Sequence, residues 1–350
     1  MTALTWQELP ASTLATDADL RQHWDRLNSQ RGDLPFLGAD AMTLALEVFG
    51  QSRERLFVGS RSGAVSAMVI AHDIGKLRWE TFQPSQIPLG AWVAASDLTA
   101  EEVARSALHD GPLKLSLSLS LTQVDPLFAP QQEDAGDSRH DAYIDTAWVD
   151  VQGSFDDYWA ARGKNLRQNM RKQRNKLQAE GIQVAMRTWQ DAADMPALIA
   201  RYGALEGRSW KAQEGTAITP DNDQGRFYTA LLQQAAGRGE AVVYEGLFDA
   251  QTVAVNLCVR RGTTLTILKT TYDESIKAYS PAFLLHEDIV QAIFTAGDIR
   301  RIEYYGKVME WHTRWTDNRR TLYHLTMFRN SIVKRLAQTL SARNDSPTGD

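Results

Sequence analysis

The sequence predicts an α/β (α+β) protein in which a mixed, largely antiparallel central sheet flanked by helices occurs twice. Three observations carry this. Each half of the chain reads as helices, then a run of closely spaced strands, then one helix, then more strands. A polar stretch at 128–139, FAPQQEDAGDSR, separates the halves and reads as a surface loop or linker. The chain has 350 residues, 43% of them apolar, which suits two domains with a real core. The expected domains are residues 1–135 and 136–345. There is no residue-level repeat, so the duplication is architectural.

In the first half, residues 19–28 and 39–49 have helical spacing. Residues 55–59, 64–72 and 77–82 read as strands parted by Ser62-Gly63 and Gly75. Thr99 and Glu102 form a capping-box pair that opens a helix over 99–109. Leucines at every second position from Leu113 to Leu121 predict a strand with one buried face.

After the polar stretch, 142–151 reads as a strand. Residues 154–180 are helical with a break near Gly163, 182–189 are a strand, and 192–210 and 224–236 are helices. Three strands follow at 241–247, 252–260 and 264–271, joined by short turns, so they form an antiparallel meander. A helix over 280–296, strands at 302–305 and 322–328, and a helix over 331–340 complete the chain.

Composition excludes several classes. Lys plus Arg number 38 against 43 Asp plus Glu, for a net charge of −5, which does not suit a protein that coats DNA by bulk charge. One cysteine, Cys258, allows no internal disulfide and no cysteine-clustered zinc site, and its place in an apolar strand reads as a buried thiol. His23, His72, His109, His140, His286, His312 and His324 show no metal-ligand spacing, and His286-Glu287-Asp288 reads as a helix-surface run, so no metal is expected. No apolar stretch of about 18 residues is present, and the first ten residues lack a signal-peptide run, so the expected location is cytoplasmic. There is no Gly-x-Ser-x-Gly elbow, Walker A loop or Gly-x-Gly-x-x-Gly.

The most specific constellation is Lys277-Ala278-Tyr279-Ser280-Pro281-Ala282, between the third meander strand and a helix. Ser280 suits an N-cap and Pro281 the first helical position. Amides of Ala278, Tyr279, Ser280, Ala282 and Phe283, with the Lys277 cation, could cradle a pyrophosphate at the helix's positive end. The plainer alternative is a capped helix that binds nothing.

These residues resemble the GNAT acyltransferase superfamily, and within it the FemAB-like double-GNAT proteins of the CelD type. Lys277-x-x-Ser280-x-Ala282 loosely fits the superfamily's acetyl-CoA pyrophosphate loop, Arg/Gln-x-x-Gly-x-Gly/Ala, with Ser in place of its first Gly. Glu206-x-x-Ser209-Trp210-Lys211, Phe227-Tyr228, Tyr272-Asp273-Glu274 and Tyr279-Ser280-Pro281 with Leu284-Leu285 carry the CelD-type likeness. It covers roughly 150–328, and the first half only weakly, around Pro35-Phe36-Leu37. One departure stands out: relatives carry Tyr-Lys where this chain has Trp311-His312, three residues before Trp315. The resemblance implies tandem GNAT-like units, the first degenerate, and acyl-CoA, acetyl-CoA above all, as co-substrate.

The chemistry asks little of side chains: an acceptor amine or hydroxyl attacks the thioester, a base takes its proton, and an acid can meet the thiolate. Glu206 is the first candidate base, if Trp210 raises its pKa; otherwise it pairs with Arg208 or Lys211. His312 is the second, or else a packed histidine. Tyr272 and Tyr305 are candidate thiolate acids, or simply packed. Arg162, Lys164, Arg167, Arg171, Lys172, Arg174 and Lys176 make an anion-binding helix, or else a solvated face, with Lys164, Arg167, Arg171 and Arg174 on one side. Arg167, Arg171, Trp210, Lys211, Asp273 and Trp315 are the expected acceptor contacts. The expected function is acyl transfer to a sugar, nucleotide-sugar or related small acceptor in polysaccharide or cell-envelope metabolism. The alternatives are a FemAB-type transferase using aminoacyl-tRNA and a non-catalytic scaffold in polysaccharide assembly.

Overall fold

The computed structural model describes residues 4–208 and 217–344. In chain order its strands are β1 (Thr5–Pro10), β2 (Arg55–Arg61), β3 (Ala64–Asp73), β4 (Arg78–Thr81), β5 (Trp92–Ala94), β6 (Ser118–Val124), β7 (Ser138–Asp150), β8 (Val184–Trp189), β9 (Ala241–Phe248), β10 (Gln251–Arg261), β11 (Thr264–Tyr272), β12 (Arg301–Glu303) and β13 (Arg319–Phe328). The longer helices are α1 (Ala18–Ser29), α2 (Ala39–Phe49), α3 (Ala100–His109), α4 (Phe155–Ala160), α5 (Lys164–Ala179), α6 (Met195–Glu206), α7 (Asp223–Ala236), α8 (Pro281–Ala296) and α9 (Ser331–Asn344).

The chain divides into two compact units, Met1–Ile144 with Thr321–Asp350, and Asp145–Arg320. Both divisions fall inside strands, β7 and β13. The polar stretch at 128–139 is therefore a loop and strand start within the first unit, not a link between units. Residues 136–144 and 321–344, expected with the second domain, lie in the first. The reason is packing: Tyr323, Leu325 and Met327 of β13 belong to the first unit's core with Val69, Val103 and Leu121.

Each unit has the same plan. In the first, β1, β2, β3 and β4 pair antiparallel, α3 crosses over, β6 lies parallel to β4, and β13 pairs antiparallel with β6. In the second, β8, β9, β10 and β11 pair antiparallel, α8 crosses over, β12 lies parallel to β11, and β7 pairs antiparallel with β12. A parallel neighbour needs a long crossover, and a helix supplies it in both cases. These are the mixed, largely antiparallel sheets expected.

Local chemistry explains the helix ends. The Thr99 hydroxyl accepts from Glu102 N–H at 3.1 Å and Glu102 Oε2 accepts from Thr99 N–H at 2.8 Å, closing the capping box. Gly163 caps α5 and separates it from α4, at the predicted break. Strands β1 and β5 carry no clean alternation and were not expected. The leucine alternation at 113–121 overreached: Leu115 is 80% exposed and the strand starts only at Ser118. In the second unit, Gly246 of β9 lets α8 lie close: a Cβ there would stand 3.3 Å from Leu285 Cβ.

Candidate active site

The parallel pair β11–β12 is short. Its register covers only Thr264↔Arg301, Leu265↔Ile302 and Thr266↔Glu303. Beyond Thr266, β11 runs on to Tyr272 without that neighbour, and β12 ends at Glu303. The sheet opens there, at the carboxyl ends of its parallel strands. A cavity of about 310 Å³ is lined by Thr270 and Tyr272 of β11, and by Asn256 of β10. From the helix side come Lys277, Ser280, Pro281, Ala282, Phe283 and His286, and Trp311 and Trp315 complete the lining.

The loop before α8 departs in detail from the expected cap. Ser280 is in the left-handed region, φ 55° and ψ 47°, and its side chain caps nothing. Two of the five amides are spent on the turn: Ser280 N–H donates to the Lys277 carbonyl at 3.0 Å and Phe283 N–H to the Ser280 carbonyl at 3.0 Å. Lys277 is exposed at the rim. Tyr279 turns away, its hydroxyl donating to Glu180 at 2.8 Å and its ring 4.1 Å from Lys176 Nζ.

Of the expected residues, Tyr272, Lys277, Ser280, Ala282, Phe283 and Trp315 meet at this cavity; others stand back from it. Glu206 is 1% exposed at the end of α6, where it accepts from Tyr202 OH at 3.1 Å and from Ile218 N–H at 2.9 Å. Of the two predicted partners, Arg208 lies against Asp273 and Lys211 lies outside the described residues. Asp273 caps the turn after β11, accepting from Ser275 N–H at 3.0 Å, with Arg208 at 3.7 Å. Tyr305 is buried at φ 51° with the Arg320 guanidinium 5.2 Å from its ring. Trp210 and Lys211 lie outside the described residues.

His312 is 5% exposed; its ring stacks on Trp311 at 3.6 Å and its Nδ1 accepts from Met309 N–H at 2.9 Å. Burial pulls its pKa down to about 4, so it is neutral at pH 7 and cannot be a cationic anchor there. His286 corrects a second expectation: it is buried, not on a helix surface. Its Nε2 lies 2.8 Å from Tyr304 OH, and burial, with His312 nearby, lowers its pKa to about 3. Cys258 is buried, and burial raises its thiol pKa, as suits an inert thiol.

A second concavity, about 620 Å³, lies along α5 and is lined by Trp159, Lys164, Arg167, Gln168, Arg171, Arg174, Asn175 and Glu287. Leu166, Met170 and Leu177 are buried beneath, so the four basic residues share the outward side. Arg174 is neutralised by Glu287 at 2.7 Å and Asp288 at 2.6 Å. Among the described residues, no carboxylate pairs with Lys164, Arg167 or Arg171.

Sequence reading missed Asn256, Thr270, His286 and Trp311 as cavity residues. Two of these carried a signal: Asn256 is the one polar residue within Val253–Val259, and Trp311 stands in the Trp311-His312 departure.

Comparison with known proteins follows the geometry. Residues 164–340, just over half of the chain, match the Acetyltransferase (GNAT) domain family. The chain belongs to that family, and is an acyltransferase. No curated protein sequence matches it. Among solved structures it is similar to the C-terminal domain of a putative lysylphosphatidylglycerol synthetase from Agrobacterium fabrum, with TM-score 0.56 and 12% identity, over 91% of this chain and 95% of that one. It is also similar to a conserved protein of unknown function from Bacteroides thetaiotaomicron, with TM-score 0.53 and 12% identity, over 94% and 100%. FemX matches with TM-score 0.52 and 9% identity, over 81% and 90%. At these identities the likeness is one of fold. Among the described residues, no group of His, Cys, Asp or Glu could hold a metal, and no helix is long and apolar enough to cross a membrane.

Proposed function

We propose that the second unit transfers an acyl group, acetyl in the simplest case, from acyl-CoA to an amino or hydroxyl group. The acceptor would be a sugar, nucleotide-sugar or related small molecule of polysaccharide or cell-envelope metabolism. The observation that carries this is the cavity at the open end of β11, next to the Lys277–Phe283 loop. The loop would hold the donor's pyrophosphate with Lys277 and the Ala282 amide at the start of α8, and the cavity would take the thioester. CelD-type membership in the FemAB-like branch, and a cytoplasmic location, are part of the same reading. The first unit would be a degenerate GNAT-like partner. The groove along α5 would hold the acceptor's negative charge, with Lys164, Arg167 and Arg171 as its cations.

Calorimetry with CoA tests the donor. Ser280→Glu sets a carboxylate where the pyrophosphate should lie, and affinity should fall at least tenfold, about 1.4 kcal/mol. Equal affinity in a folded variant moves the donor site elsewhere. A second donor, aminoacyl-tRNA, is favoured by one observation, the basic groove. FemAB relatives use that donor. A tRNA gel shift that Arg167→Glu abolishes would favour it; saturable CoA binding without a shift would remove it.

A further inference from the structure

Asn256 lies in the middle of β10, opposite Thr270 of β11. Its neighbours on either side along the strand are apolar, and it is 6% exposed. The carboxamide carries two donor hydrogens and an acceptor oxygen, yet it makes no hydrogen bond to any described residue. The carboxamide borders the open space of the cavity, where a ligand can supply the partner that the fold does not. The register between β10 and β11 shifts between Leu257 and Cys258, immediately beside it. Such irregularities re-aim side chains and gather at functional sites.

The other polar groups of the cavity are committed or unsuited to the same task. His286 is held by the Tyr304 hydroxyl and is neutral at pH 7. Lys277 is exposed at the rim, where a phosphate suits it better than a carbonyl. Tyr272 and Thr270 are only half-buried. Asn256 is a permanently neutral donor that lines the cavity without a hydrogen-bond partner among the described residues; the Trp315 Nε1–H, also unpaired, is sealed from solvent, whereas the Asn256 carboxamide belongs to the open lining.

We infer that Asn256 is a catalytic hydrogen-bond donor, its Nδ2–H holding the oxygen of the acyl carbonyl being transferred. This rests on the reading of the cavity as the acyl-CoA site. As the acceptor's lone pair forms a bond to the carbonyl carbon, the C=O π pair moves onto that oxygen, where the Asn256 amide meets it. When the pair returns, the C–S bond breaks and the electrons leave with sulfur. The proton lost by the attacking nitrogen or oxygen balances the one gained by the CoA thiolate, through solvent or a neighbouring hydroxyl. A donor fixed on a strand acts where charge develops rather than on the resting thioester.

The test uses the full-length protein, CoA, and acetyl-CoA labelled with ¹³C at the carbonyl, with water as the acceptor. Infrared difference spectra should show the bound carbonyl stretch lowered relative to free acetyl-CoA. In Asn256→Ala and Asn256→Asp it should return toward the free value. CoA affinity should stay within about twofold, and thiol release by slow hydrolysis should fall by roughly 10²-fold. Asn256→Val supplies the control for fold. If the amide is kept for a ligand, replacing it with an apolar strand former should raise the melting temperature by about 2–4 °C while abolishing the infrared shift. If the amide were structural, Asn256→Val would lower the melting temperature, and that would overturn the assignment. Normal CoA binding with an unchanged carbonyl stretch in Asn256→Ala would overturn it alone. Failure of the wild type to bind CoA would remove the acyl-CoA reading, and this assignment with it.

Discussion

Ser280 holds φ 55° with no side-chain hydrogen bond to repay it. A left-handed residue with a Cβ costs roughly 1–2 kcal/mol, which glycine avoids. Ser280→Gly should therefore stabilise the protein by up to about 1 kcal/mol, read from chemical denaturation, and a destabilised variant would refute the strain. The two buried histidines make a pH-dependent contribution. His286 is pulled to about 3 and His312 to about 4, from about 6.5 in an unfolded chain. Both folded values are depressed, so between pH 6.5 and 4 the unfolded chain binds protons that the folded chain refuses. Stability then rises with pH across that window: it is full above 6.5 and lost as acid is added. His312→Gln should lose less melting temperature than wild type between pH 7 and 4.5. Equal losses would show that His312 titrates normally. The same value leaves His312 without a rate inflection between pH 6 and 7, so superimposable profiles for wild type and His312→Gln are expected there.

Helix α5 shows how one element serves two ends. Leu166, Met170 and Leu177 seat it against Phe248, Val253, Leu284 and Trp315. Its other side carries like charges at helical spacing, which costs about 0.2–0.5 kcal/mol per pair in an isolated helix. A groove with that cost is kept open for an anion under the proposed function. The double reversal Arg167→Glu with Arg171→Glu should then raise the acceptor Michaelis constant and flatten its dependence on salt, since fewer charge contacts remain to be screened. An unchanged constant at low and high salt would leave α5 a solvated face. Arg174 is different, because it is bound to Glu287 and Asp288 on α8. Arg174→Met should destabilise the fold by roughly 1–3 kcal/mol by leaving Glu287 buried without its cation, and adding Glu287→Gln should recover part of the loss in thermal melts.

The chain's path through its two units makes another prediction. The first unit is completed by β13 and α9, which arrive only after the whole second unit. A chain ending at residue 318 would lack Leu322, Tyr323, Leu325 and Met327, each fully buried. Removing that many large side chains from one core exceeds any ordinary margin of stability. Proteolysis of such a truncation should digest the first unit rapidly, and a protease-resistant first unit would contradict the division.

Much of this was legible in local spacing. The apolar runs of β9, β10 and β11 with short turns between them, the 3.6 period and dry stripe of α5, the break at Gly163 and the Thr99 box all depend on neighbours within a few residues, which a linear string displays. The loop before α8 and the basic face could be found the same way. What had to wait for the tertiary structure depends on contacts far apart in sequence. No local signal says that β13 closes the first sheet, that Glu206 accepts from Tyr202 and Ile218, or that His312 is sealed against Trp311. Nor does any say that β11 outruns β12 and leaves a cavity there. Asn256 shows the limit most clearly: one polar residue in an apolar strand is visible in the sequence, but that it faces a cavity without a partner is decided by Thr270, by α8 and by the space between them.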